Sequence, residues 1–485
     1  MAQSHNLARL AEETRERNGD YEAVWFEGTW HRSGELFERA QRVAAGLTEL
    51  GVQPGDRVVV YAMNAPEVPL VYNAIWRAGA VVTPAIFLLP RAELLHVLDD
   101  CDATLVIASP ELADGVEGVR VVTLDDLPEG DPAPIVPRGD DEPAALMYTG
   151  GTTGRAKGVM LSHANLWHAG KSGQDAGYVP GVVRGLGTLP LSHAYGLLVT
   201  VVGLHAPEPN VSVLMRWFAP ETFLQLVQEQ RIQITAVVPS MLQLLLGERV
   251  EAYDLSSLRY IVSGAAPLAR DVIDELARRL PHAELREGYG LTESSAIVSS
   301  NPPGRVRTAS VGLPVPGVEV RIAGDGGAEL PRGEVGEICC RSPMVMLGYW
   351  NDPELTAQTV RDGWLQTGDL GRVDDDGYLY VVDRKKDLII RGGFNVFPRD
   401  VEDALVEHPA VSLVGVVGRP DARHGEEVVA FVCLRDGAAT NEEELVAFGK
   451  ERIGGYRYPR EVRILSDIPL TPVGKVDRKS LRSML

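Results

Sequence analysis

Short runs of apolar, β-branched residues alternate with helical patterns along the first half of the chain. The run RVVVYA at Arg57–Ala62 predicts a strand, and the periodic apolar positions that follow predict a helix over Pro66–Ala78. The same alternation returns at Ile234–Val238 and Leu258–Val262, with a helix beginning near Pro267. Because strands joined by crossover helices run parallel, this pattern predicts an α/β fold whose parallel sheets are flanked by helices.

The pattern changes to strand–turn–strand beyond Gly317, in the runs VEVRIAG, GEICCRS and GYLYVVDR. Closely spaced strands separated by turns are typical of antiparallel sheets, so we expect an antiparallel β subdomain here. Near residue 385 the pattern changes again, to a small α+β unit. Its predicted elements are helix 399–407, strands 411–417 and 427–434, helix 442–453 and strand 461–465. We therefore predict an N-terminal domain of residues 1–385 and a C-terminal domain of residues 386–485.

The composition argues against several classes of protein. Hydrophobic residues make up 45% and charged residues 24% of the chain, as in average soluble domains. A formal net charge of −20 argues against a nucleic-acid partner. No apolar run reaches the roughly 18 residues of a membrane helix, and the N-terminus lacks the apolar core of a signal peptide. The four cysteines have no metal-binding spacing, which favours a reducing, cytoplasmic setting.

The strongest chemical signal is the segment MYTGGTTGRAKGVMLSH at Met147–His163. Glycines let backbone N–H groups turn towards an anion, hydroxyls add donors and Lys157 adds a positive charge. The residues that would form this phosphate-binding loop are Thr149, Gly150, Gly151, Thr152, Thr153, Gly154 and Lys157. The segment is not a Walker A loop, because Ala156 precedes Lys157 and Gly158 follows it. The alternative is a flexible surface loop.

A second segment, GYGLTES at Gly288–Ser294, follows a predicted strand. Tyr289, between two glycines, can stack on a base, whereas Thr292 and Glu293 can contact a phosphate and its Mg²⁺. Tyr289 and Glu293 each also have a purely structural interpretation. Tyr289 can be a packed core side chain, and Glu293 can be a charge in the first turn of a helix.

Three weaker segments lie downstream. Thr367–Gly371 places Asp369 in a predicted turn, where its carboxylate suits two ribose hydroxyls or simply caps the turn. The run DRKKDLIIRGGF at Asp383–Phe394 combines a charge cluster with a diglycine and is, by itself, typical of a solvated turn. Lys475 lies in PLTPVGKVDRK near the C-terminus, where a lone lysine is ordinarily solvated.

In this order and spacing, the five segments together resemble the adenylate-forming superfamily of acyl-CoA synthetases, luciferases and peptide-synthetase adenylation domains. The resemblance extends from about Tyr21 to Lys479. The stretch DRKKDLIIRGGFNVFPRDVE is most similar to bacterial fatty-acid–CoA ligases. The resemblance implies a large N-terminal domain and a small C-terminal domain joined at a hinge.

The resemblance also implies roles for individual residues. The loop from Thr149 to Lys157 would hold the β- and γ-phosphates of ATP, and Thr292 would contact the α-phosphate. Glu293, together with Thr149, would bind Mg²⁺. Gly264, Ala265, Ala266, Gly288, Tyr289 and Gly290 would line the adenine, and Asp369 and Arg384 would hold the ribose. Glu287 is implied to belong to the same nucleotide-binding set.

Four further residues complete this implied site. His193, in PLSHAYG, would lie beside the acyl carboxylate, although a hydrogen-bonded core histidine is the alternative. Lys386 would be the hinge, and Gly393 would line the tunnel for the pantetheine of coenzyme A. Lys475 would be the lysine that serves adenylation.

The implied activity is that of an ATP-dependent ligase. It would activate a carboxylic acid, expected to be a medium- or long-chain fatty acid, as acyl-AMP and transfer it to CoA. Residues 189–204 and 239–245 contain no arginine or lysine that could pair a second carboxylate. Alternatives are loading of a carrier-protein phosphopantetheine, activation of an aryl or cyclic acid, and a non-catalytic nucleotide- or acyl-adenylate-binding protein. The expected partners are small molecules, and homo-oligomer formation stays open.

Overall fold

The computed structural model describes residues 4–150, 155–471 and 476–485. Its contacts divide the chain into two units, each described below by itself. The first comprises Met1–Ala265, Leu276–Val320 and Cys340–Gln366. The second comprises Ala266–Glu275, Arg321–Cys339 and Thr367–Leu485.

Helices and strands alternate as the sequence predicts. The α-helices are α1 Leu7–Asn18, α2 Ser33–Glu49, α3 Glu67–Arg77, α4 Arg91–Asp100, α5 Pro110–Ala113, α6 His163–Gly177, α7 Ala194–Leu204, α8 Pro220–Glu229, α9 Pro239–Leu246, α10 Arg270–Arg279, α11 Pro353–Thr359, α12 Pro398–Val406, α13 Glu442–Ile453 and α14 Arg478–Ser483. The strands are β1 Glu22–Phe26, β2 Thr29–Arg32, β3 Arg57–Ala62, β4 Val81–Ile86, β5 Leu105–Ala108, β6 Val121–Thr123, β7 Pro143–Thr149, β8 Lys157–Ser162, β9 Arg184–Gly187, β10 Val211–Leu214, β11 Ile234–Val237, β12 Tyr260–Ser263, β13 Glu284–Tyr289, β14 Ser299–Ser300, β15 Leu313–Pro314, β16 Glu319–Ala323, β17 Gly336–Arg341, β18 Gly348–Tyr349, β19 Val360–Arg361, β20 Trp364–Val373, β21 Leu379–Arg384, β22 Ile389–Arg391, β23 Phe394–Val396, β24 Val411–Asp421, β25 Gly425–Leu434 and β26 Glu461–Leu465.

A seven-stranded sheet of the first unit has the order β18-β8-β7-β4-β3-β5-β6. Strands β3 to β6 are parallel, whereas β8 pairs antiparallel with β7, and β18 antiparallel with β8. In β3, Val58 and Val60 pack into one buried cluster, and Val59 and Tyr61 pack into another. Because successive side chains point to opposite faces, both faces of this strand are buried, which explains its unbroken apolar run.

A nine-stranded sheet completes the framework of the first unit, in the order β15-β14-β13-β12-β11-β9-β10-β1-β2. Its central strands are parallel, and the short strands β2, β14 and β15 pair antiparallel towards its edges. The carboxyl ends of β11, β12 and β13 therefore lie at one edge. In open α/β sheets ligands bind outside this edge.

The second unit contains the small α+β unit that the sequence predicts. The antiparallel pair β24 and β25 is extended by β26, which runs parallel to β25, and by β22 and β23. On one face, Leu405 of α12 and Leu445 of α13 pack with Val416 and Val432. On the other face, Leu481 of α14 packs with Phe431. Helices on both faces thus bury this sheet.

A further sheet has the strand order β16-β17-β20-β19, with β21 paired to β20. The pairs β19–β20 and β20–β21 are antiparallel, so the predicted antiparallel β subdomain is confirmed. The mixed α/β fold class is confirmed as well. The bounds of β3, α13 and β26 are those expected from the sequence, whereas β24 continues to Asp421.

The predicted domain boundary between residues 385 and 386 lies inside the second unit, which already includes residues 367–385. A hinge at Lys386 therefore stays a prediction. Among the described residues, no helix is both long and apolar enough to cross a membrane. The four cysteines, Cys101, Cys339, Cys340 and Cys433, are free and buried.

Two histidines of the first unit, the buried His163 and the partly buried His205, make its stability depend on pH. Burial, followed by the charge of Arg138, lowers the pKa of His163 to about 4. Burial also lowers the pKa of His205 to about 4. Among the described residues, Nε2 of both rings lacks a hydrogen-bond partner. Both imidazoles are therefore neutral in the folded protein.

We expect the free energy of unfolding to fall as the pH drops from about 6.5 to about 4, because the unfolded histidines take up protons in this range and the folded ones do not. Each depressed pKa accounts for at most about 3 kcal/mol. Urea unfolding at pH 7.5 and pH 5 measures the loss. His205→Phe and His163→Phe should each flatten the pH dependence. A pH dependence unchanged in both variants would contradict this assignment.

Candidate active site

The predicted phosphate-binding loop is the connection of a β-hairpin in the first unit. Strands β7 and β8 pair antiparallel, and Thr149 lies opposite Lys157 where the loop begins and ends. The Tyr148 hydroxyl donates to Asp100 Oδ2 over 2.6 Å, and His96 Nε2 lies 3.0 Å from the Ala156 carbonyl oxygen. These hydrogen bonds anchor both ends of the loop.

The chain immediately after this hairpin is also fixed. Ser162 accepts a hydrogen bond from the backbone of Asn165, and the Asn165 side chain accepts one from the backbone of Ser162. This capping box starts α6. Of the predicted loop residues, Thr149, Gly150 and Lys157 are described, whereas Gly151, Thr152, Thr153 and Gly154 lie outside the described residues.

The predicted adenine site lies at the carboxyl edge of the nine-stranded sheet. Strands β12 and β13 are parallel, with Ser263 opposite Glu287, so Gly264 and Gly288 follow at neighbouring strand ends. A Cβ atom at Gly264 would lie 3.5 Å from the Gly288 carbonyl oxygen and 3.4 Å from Cε1 of Tyr195. The two glycines and the Tyr195 ring therefore adjoin one another.

Tyr195 was not predicted as a site residue. The only available signal was its position two residues after His193. Ala265 follows Gly264 with a φ of +68°, a left-handed conformation that non-glycine residues rarely adopt outside special sites. Ala266 belongs to the second unit. Tyr289 is partly buried against Val298, as its alternative interpretation as a packed residue expects.

The chain doubles back on itself directly after Tyr289. A Cβ atom at Gly290 would lie 2.2 Å from the Ala296 carbonyl oxygen, so only glycine fits there. Thr292–Ser294 forms a single 3₁₀ turn, and Ala296 has a φ of +68°. The Ala296 N–H donates to the Leu291 carbonyl over 2.9 Å. This tight reversal holds Thr292 and Glu293 at the sheet edge.

Glu293 lies beside the phosphate hairpin through Tyr349. The Tyr349 hydroxyl donates to Glu293 Oε1 over 2.8 Å, and Lys157 Nζ lies 5.9 Å from the Tyr349 ring centroid. Burial, and then the charge of Glu293, raises the pKa of Tyr349, so the hydroxyl is a protonated donor. The structure thus brings Lys157 and Glu293 next to one tyrosine, Tyr349, that sequence reasoning missed.

His193 caps a helix as well as lying near Tyr195. It is the N-cap residue of α7, and its Nδ1 accepts a hydrogen bond from the Tyr195 N–H over 3.2 Å. The side chain is neither fully buried nor fully exposed. Both predicted interpretations, a residue near the acyl carboxylate and a hydrogen-bonded structural histidine, agree with this position.

In the second unit, Asp369 and Arg384 lie together. They are direct partners on β20 and β21, and Arg384 Nε lies 3.2 Å from Asp369 Oδ1. The Asp369 side chain is nearly buried, at 9% exposure. The predicted turn at Thr367–Gly371 is wrong, because these residues lie within β20. Gly368 adopts a φ of +71° there, and Asp369 is paired in the sheet.

The predicted hinge and tunnel residues lie on separate turns of the second unit. Lys386 is exposed in the 3₁₀ turn Lys385–Asp387. Gly393 follows Gly392 in the two-residue turn between β22 and β23, with φ angles of +81° and +58°. Positive φ at both positions is the requirement of a type I′ hairpin, so the diglycine also has a structural reason.

Lys475 lies outside the described residues, but the helix that follows it is well anchored. Arg478 of α14 is hydrogen-bonded to both carboxylate oxygens of Glu402 over 2.7 Å and lies 3.6 Å from Asp387. Arg482 pairs with Asp387 over 2.6 Å. Ion pairs therefore fasten α14 to the turn that contains Lys386.

A family model for AMP-binding enzymes matches residues 11–350, and one for the C-terminal domain of AMP-binding enzymes matches residues 400–475. This chain belongs to the AMP-binding enzyme family. It is an AMP-forming acid–thiol ligase, as the sequence predicts, because its curated relatives are named as CoA ligases and synthases. The adenylate-forming superfamily is thereby confirmed.

Curated relatives match almost the whole chain. Feruloyl-CoA synthase of Amycolatopsis sp is 38% identical and covers 95% of both chains. 4-Coumarate–CoA ligase 1 of Petroselinum crispum is 35% identical, covering 93% of this chain and 90% of the relative. Long-chain-fatty-acid–CoA ligase of Bacillus subtilis is 32% identical, covering 98% and 94%. The acid therefore differs among relatives of comparable similarity.

Solved structures match equally well. ATP-bound MatB from Rhodopseudomonas palustris has a TM-score of 0.91 at 32% identity, covering 99% of both chains. o-Succinylbenzoate CoA synthetase from Bacillus subtilis, in complex with its acyl-adenylate intermediate, has a TM-score of 0.88 at 29% identity, covering 99% and 98%. Proteins of this fold have thus been seen with ATP and with an acyl-adenylate.

The reversal at Gly290 makes a testable prediction. We expect Gly290→Ala to lower the free energy of unfolding by about 1–3 kcal/mol or more, because the new methyl group collides with backbone rather than with a mobile side chain. It should also weaken ATP binding in the presence of Mg²⁺, since Glu293 lies within the reversal. Urea unfolding and equilibrium dialysis measure the two effects.

Gly177→Ala is the matched control. Gly177 ends α6, and a Cβ atom there would meet nothing within 4 Å among the described residues. Alanine should leave stability unchanged or raise it by up to about 1 kcal/mol. Equal losses in the two variants would show that close backbone approach is not what requires Gly290.

Proposed function

We propose that this ligase activates an uncharged, mainly apolar carboxylic acid with ATP and transfers the acyl group to coenzyme A. The observation that carries the proposal is the arrangement in the first unit. Tyr349 joins Lys157, at the mouth of the phosphate hairpin, to the Glu293 carboxylate, and Glu293 follows the glycine edge of Gly264 and Gly288 through one tight reversal of the chain. Such an arrangement suits a nucleoside triphosphate with its cation.

Mg²⁺ fits the described donor set. Glu293 keeps one carboxylate oxygen, Oε2, without a hydrogen bond or ion pair among the described residues, while Oε1 accepts from the neutral Tyr349 hydroxyl. Hard carboxylate oxygens combined with substrate phosphates are the ligands Mg²⁺ prefers. We propose Glu293, with Thr149, as its protein ligands. When bound, the cation offsets the negative charge that builds up at the α-phosphate.

The reaction mainly requires the protein to bring two anions, the carboxylate and ATP, together. A carboxylate oxygen attacks the α-phosphorus, the acyl–O–P bond forms, and pyrophosphate leaves. The CoA thiol then attacks the acyl carbon, and AMP leaves. Preorganised donors and cations stabilise such charge without reorganising. We propose Lys157 and Thr292 for the phosphates, Asp369 with Arg384 for the ribose, and Lys475 for the adenylation step.

The identity of the acid is the most specific part of the proposal. Residues 189–204 and 239–245 carry no arginine or lysine, so a second carboxylate would have no cationic partner there. The sequence favours a medium- or long-chain fatty acid, and the long-chain-fatty-acid–CoA ligase relative supports this choice. Ferulate-type aryl acids are the second candidate, because the feruloyl-CoA synthase relative has the higher identity of 38%.

CoA is the proposed acceptor in preference to a carrier protein, because the relatives are named as CoA ligases and synthases. A non-catalytic binding protein is disfavoured, since Glu293, Asp369 and Arg384 are all present. We propose that the small C-terminal domain turns about Lys386 between the two half reactions. The free, buried cysteines support a reducing, cytoplasmic setting.

A panel of acids tests this function. With Mg²⁺, ATP and CoA, we expect AMP and pyrophosphate, and no ADP, with octanoate, palmitate, ferulate or 4-coumarate as the best acid. Malonate should be poor because its second carboxylate would be buried without a partner. Pyrophosphate release and thioester formation measure the rates. ADP as the product would overturn the adenylation chemistry, and malonate as the best acid would overturn the assigned pocket character.

The two half reactions can be separated by variants of the second unit. Lys475→Ala should slow acyl-AMP formation about 10²–10³-fold, as expected for loss of a preorganised charge, and should spare thioester formation from supplied acyl-AMP. Gly393→Leu should do the reverse, because a side chain would fill the proposed pantetheine tunnel.

Gly393 needs its own control, because its φ of +81° strains any side chain. Asparagine tolerates this conformation better than leucine. Gly393→Asn should therefore keep the hairpin turn and still impair thioester formation. Equal losses of both half reactions in the Lys475 and Gly393 variants would contradict a domain that presents these residues in turn.

A further inference from the structure

Among the described residues, Tyr349 makes the only hydrogen bond to the Glu293 carboxylate. Its hydroxyl donates to Oε1 over 2.8 Å, and Oε2 has no hydrogen-bond or ion-pair partner among the described residues. A neutral hydroxyl fixes the carboxylate without cancelling its charge, whereas an arginine or lysine would compete with a bound cation. One carboxylate oxygen is thus oriented by the hydroxyl, and the other is left available to a cation.

The backbone of Tyr349 is fixed independently of Glu293. Tyr349 lies opposite Val159 in the pairing of β18 with β8, and its N–H donates to Thr356 Oγ1 over 2.8 Å. The next residue, Trp350, donates its N–H to the Gly158 carbonyl over 2.7 Å and its indole N–H to the Asp100 carbonyl over 2.9 Å. The hydroxyl position is therefore set by the phosphate hairpin.

Tyr349 also lies beside two opposite charges that are not paired with each other. Lys157 Nζ lies 5.9 Å from the ring centroid, near the outer limit of a cation–π contact. Within the described part of the chain, no ion pair joins Lys157 to Glu293. Direct pairing would neutralise both groups before a substrate arrives. Each group instead contacts Tyr349, Lys157 its ring and Glu293 its hydroxyl, so the lysine stays available for phosphate and the carboxylate for a cation.

We infer that Tyr349 is a positioning residue that orients Glu293 towards the Mg²⁺ of Mg²⁺–ATP and couples that carboxylate to the phosphate hairpin. The inference rests on the proposed function, in which Glu293 binds the cation. Partners that orient a metal ligand in this way are worth about 10–100-fold in metal affinity. We therefore expect a Tyr349 variant to need more Mg²⁺ for ATP binding, whereas its recognition of the nucleotide itself should be unchanged.

The test is Tyr349→Phe, which removes the hydroxyl and keeps the ring. Retention of ATP by the full-length protein, without acid or CoA, is measured by equilibrium dialysis across a Mg²⁺ titration. We expect half-maximal ATP retention to need about tenfold more Mg²⁺. At saturating Mg²⁺, ATP retention and kcat should return close to those of the unaltered protein. A Mn²⁺ titration with ATP, followed by electron paramagnetic resonance, should show the same shift.

Tyr178→Phe is the matched control. The Tyr178 hydroxyl donates to Glu208 Oε1 over 3.0 Å on an exposed surface, so the same chemical group is lost from a tyrosine–glutamate pair. This variant should leave the Mg²⁺ dependence unchanged. On a Glu293→Gln background, Tyr349→Phe should add almost nothing, because the carboxylate that it orients is gone.

An unchanged Mg²⁺ dependence in folded Tyr349→Phe would overturn the inference, as would a full additional loss on the Glu293→Gln background. Circular dichroism and thermal unfolding establish that each variant is folded. Failure of the proposed function looks different: the unaltered protein would then retain no ATP or form no AMP. The positioning role and the function are therefore tested separately.

Discussion

The pairing of the short strand β18 with β8 carries the candidate site of the first unit. Gly158 permits this pairing, because a Cβ atom there would lie 2.9 Å from Leu146 Cδ1 and 3.1 Å from Trp350 Cβ. With only backbone at that position, Trp350 lies over the hairpin. Tyr349 is then directed at Glu293, which arrives from the other large sheet of the unit. The short strand β18 and Gly158 thus bring two distant parts of the chain into contact.

Close backbone approach is a recurring device of this site. Gly290 admits the Ala296 carbonyl where no side chain fits, and Gly264 adjoins both Gly288 and Tyr195. In each case a missing side chain leaves room for backbone or for a flat ligand. Non-glycine residues with positive φ, such as Ala265 and Ala296, lie in the same segments. Backbone strain of this kind occurs at many functional sites, and in this chain it is also found elsewhere, for example at Asp102 and Arg231.

The charged residues are used differently in the two units. In the first unit, Lys157 and Glu293 both lie beside the neutral Tyr349, and no ion pair joins them among the described residues. In the second unit, Asp369 is held by its strand partner Arg384, and the buried carboxylates of Asp387 and Glu402 are paired with arginines of α14. The first arrangement leaves charges available for an anionic substrate. The second uses charges to fasten α14 to the turn that contains Lys386.

The sequence by itself determined the periodic elements and the chemical character of the chain. Apolar runs such as Arg57–Ala62 predicted buried parallel strands, since strands covered on both faces need no polar alternation. Glycine-rich loops and their order predicted the family, because few chemistries require those residues in that spacing. The bounds of α13 and β26 followed from local pattern alone.

Only the tertiary structure decided which residues meet. Asp369 was expected in a turn, yet it lies in β20, because pairing with β21 outweighs the local turn preference of Thr367–Gly371. Tyr349 and Tyr195 carry no motif of their own, and they join the site through strand register and helix position. Local sequence records the conformational preference of each residue, whereas contacts between residues far apart in the chain depend on how the strands are ordered and paired.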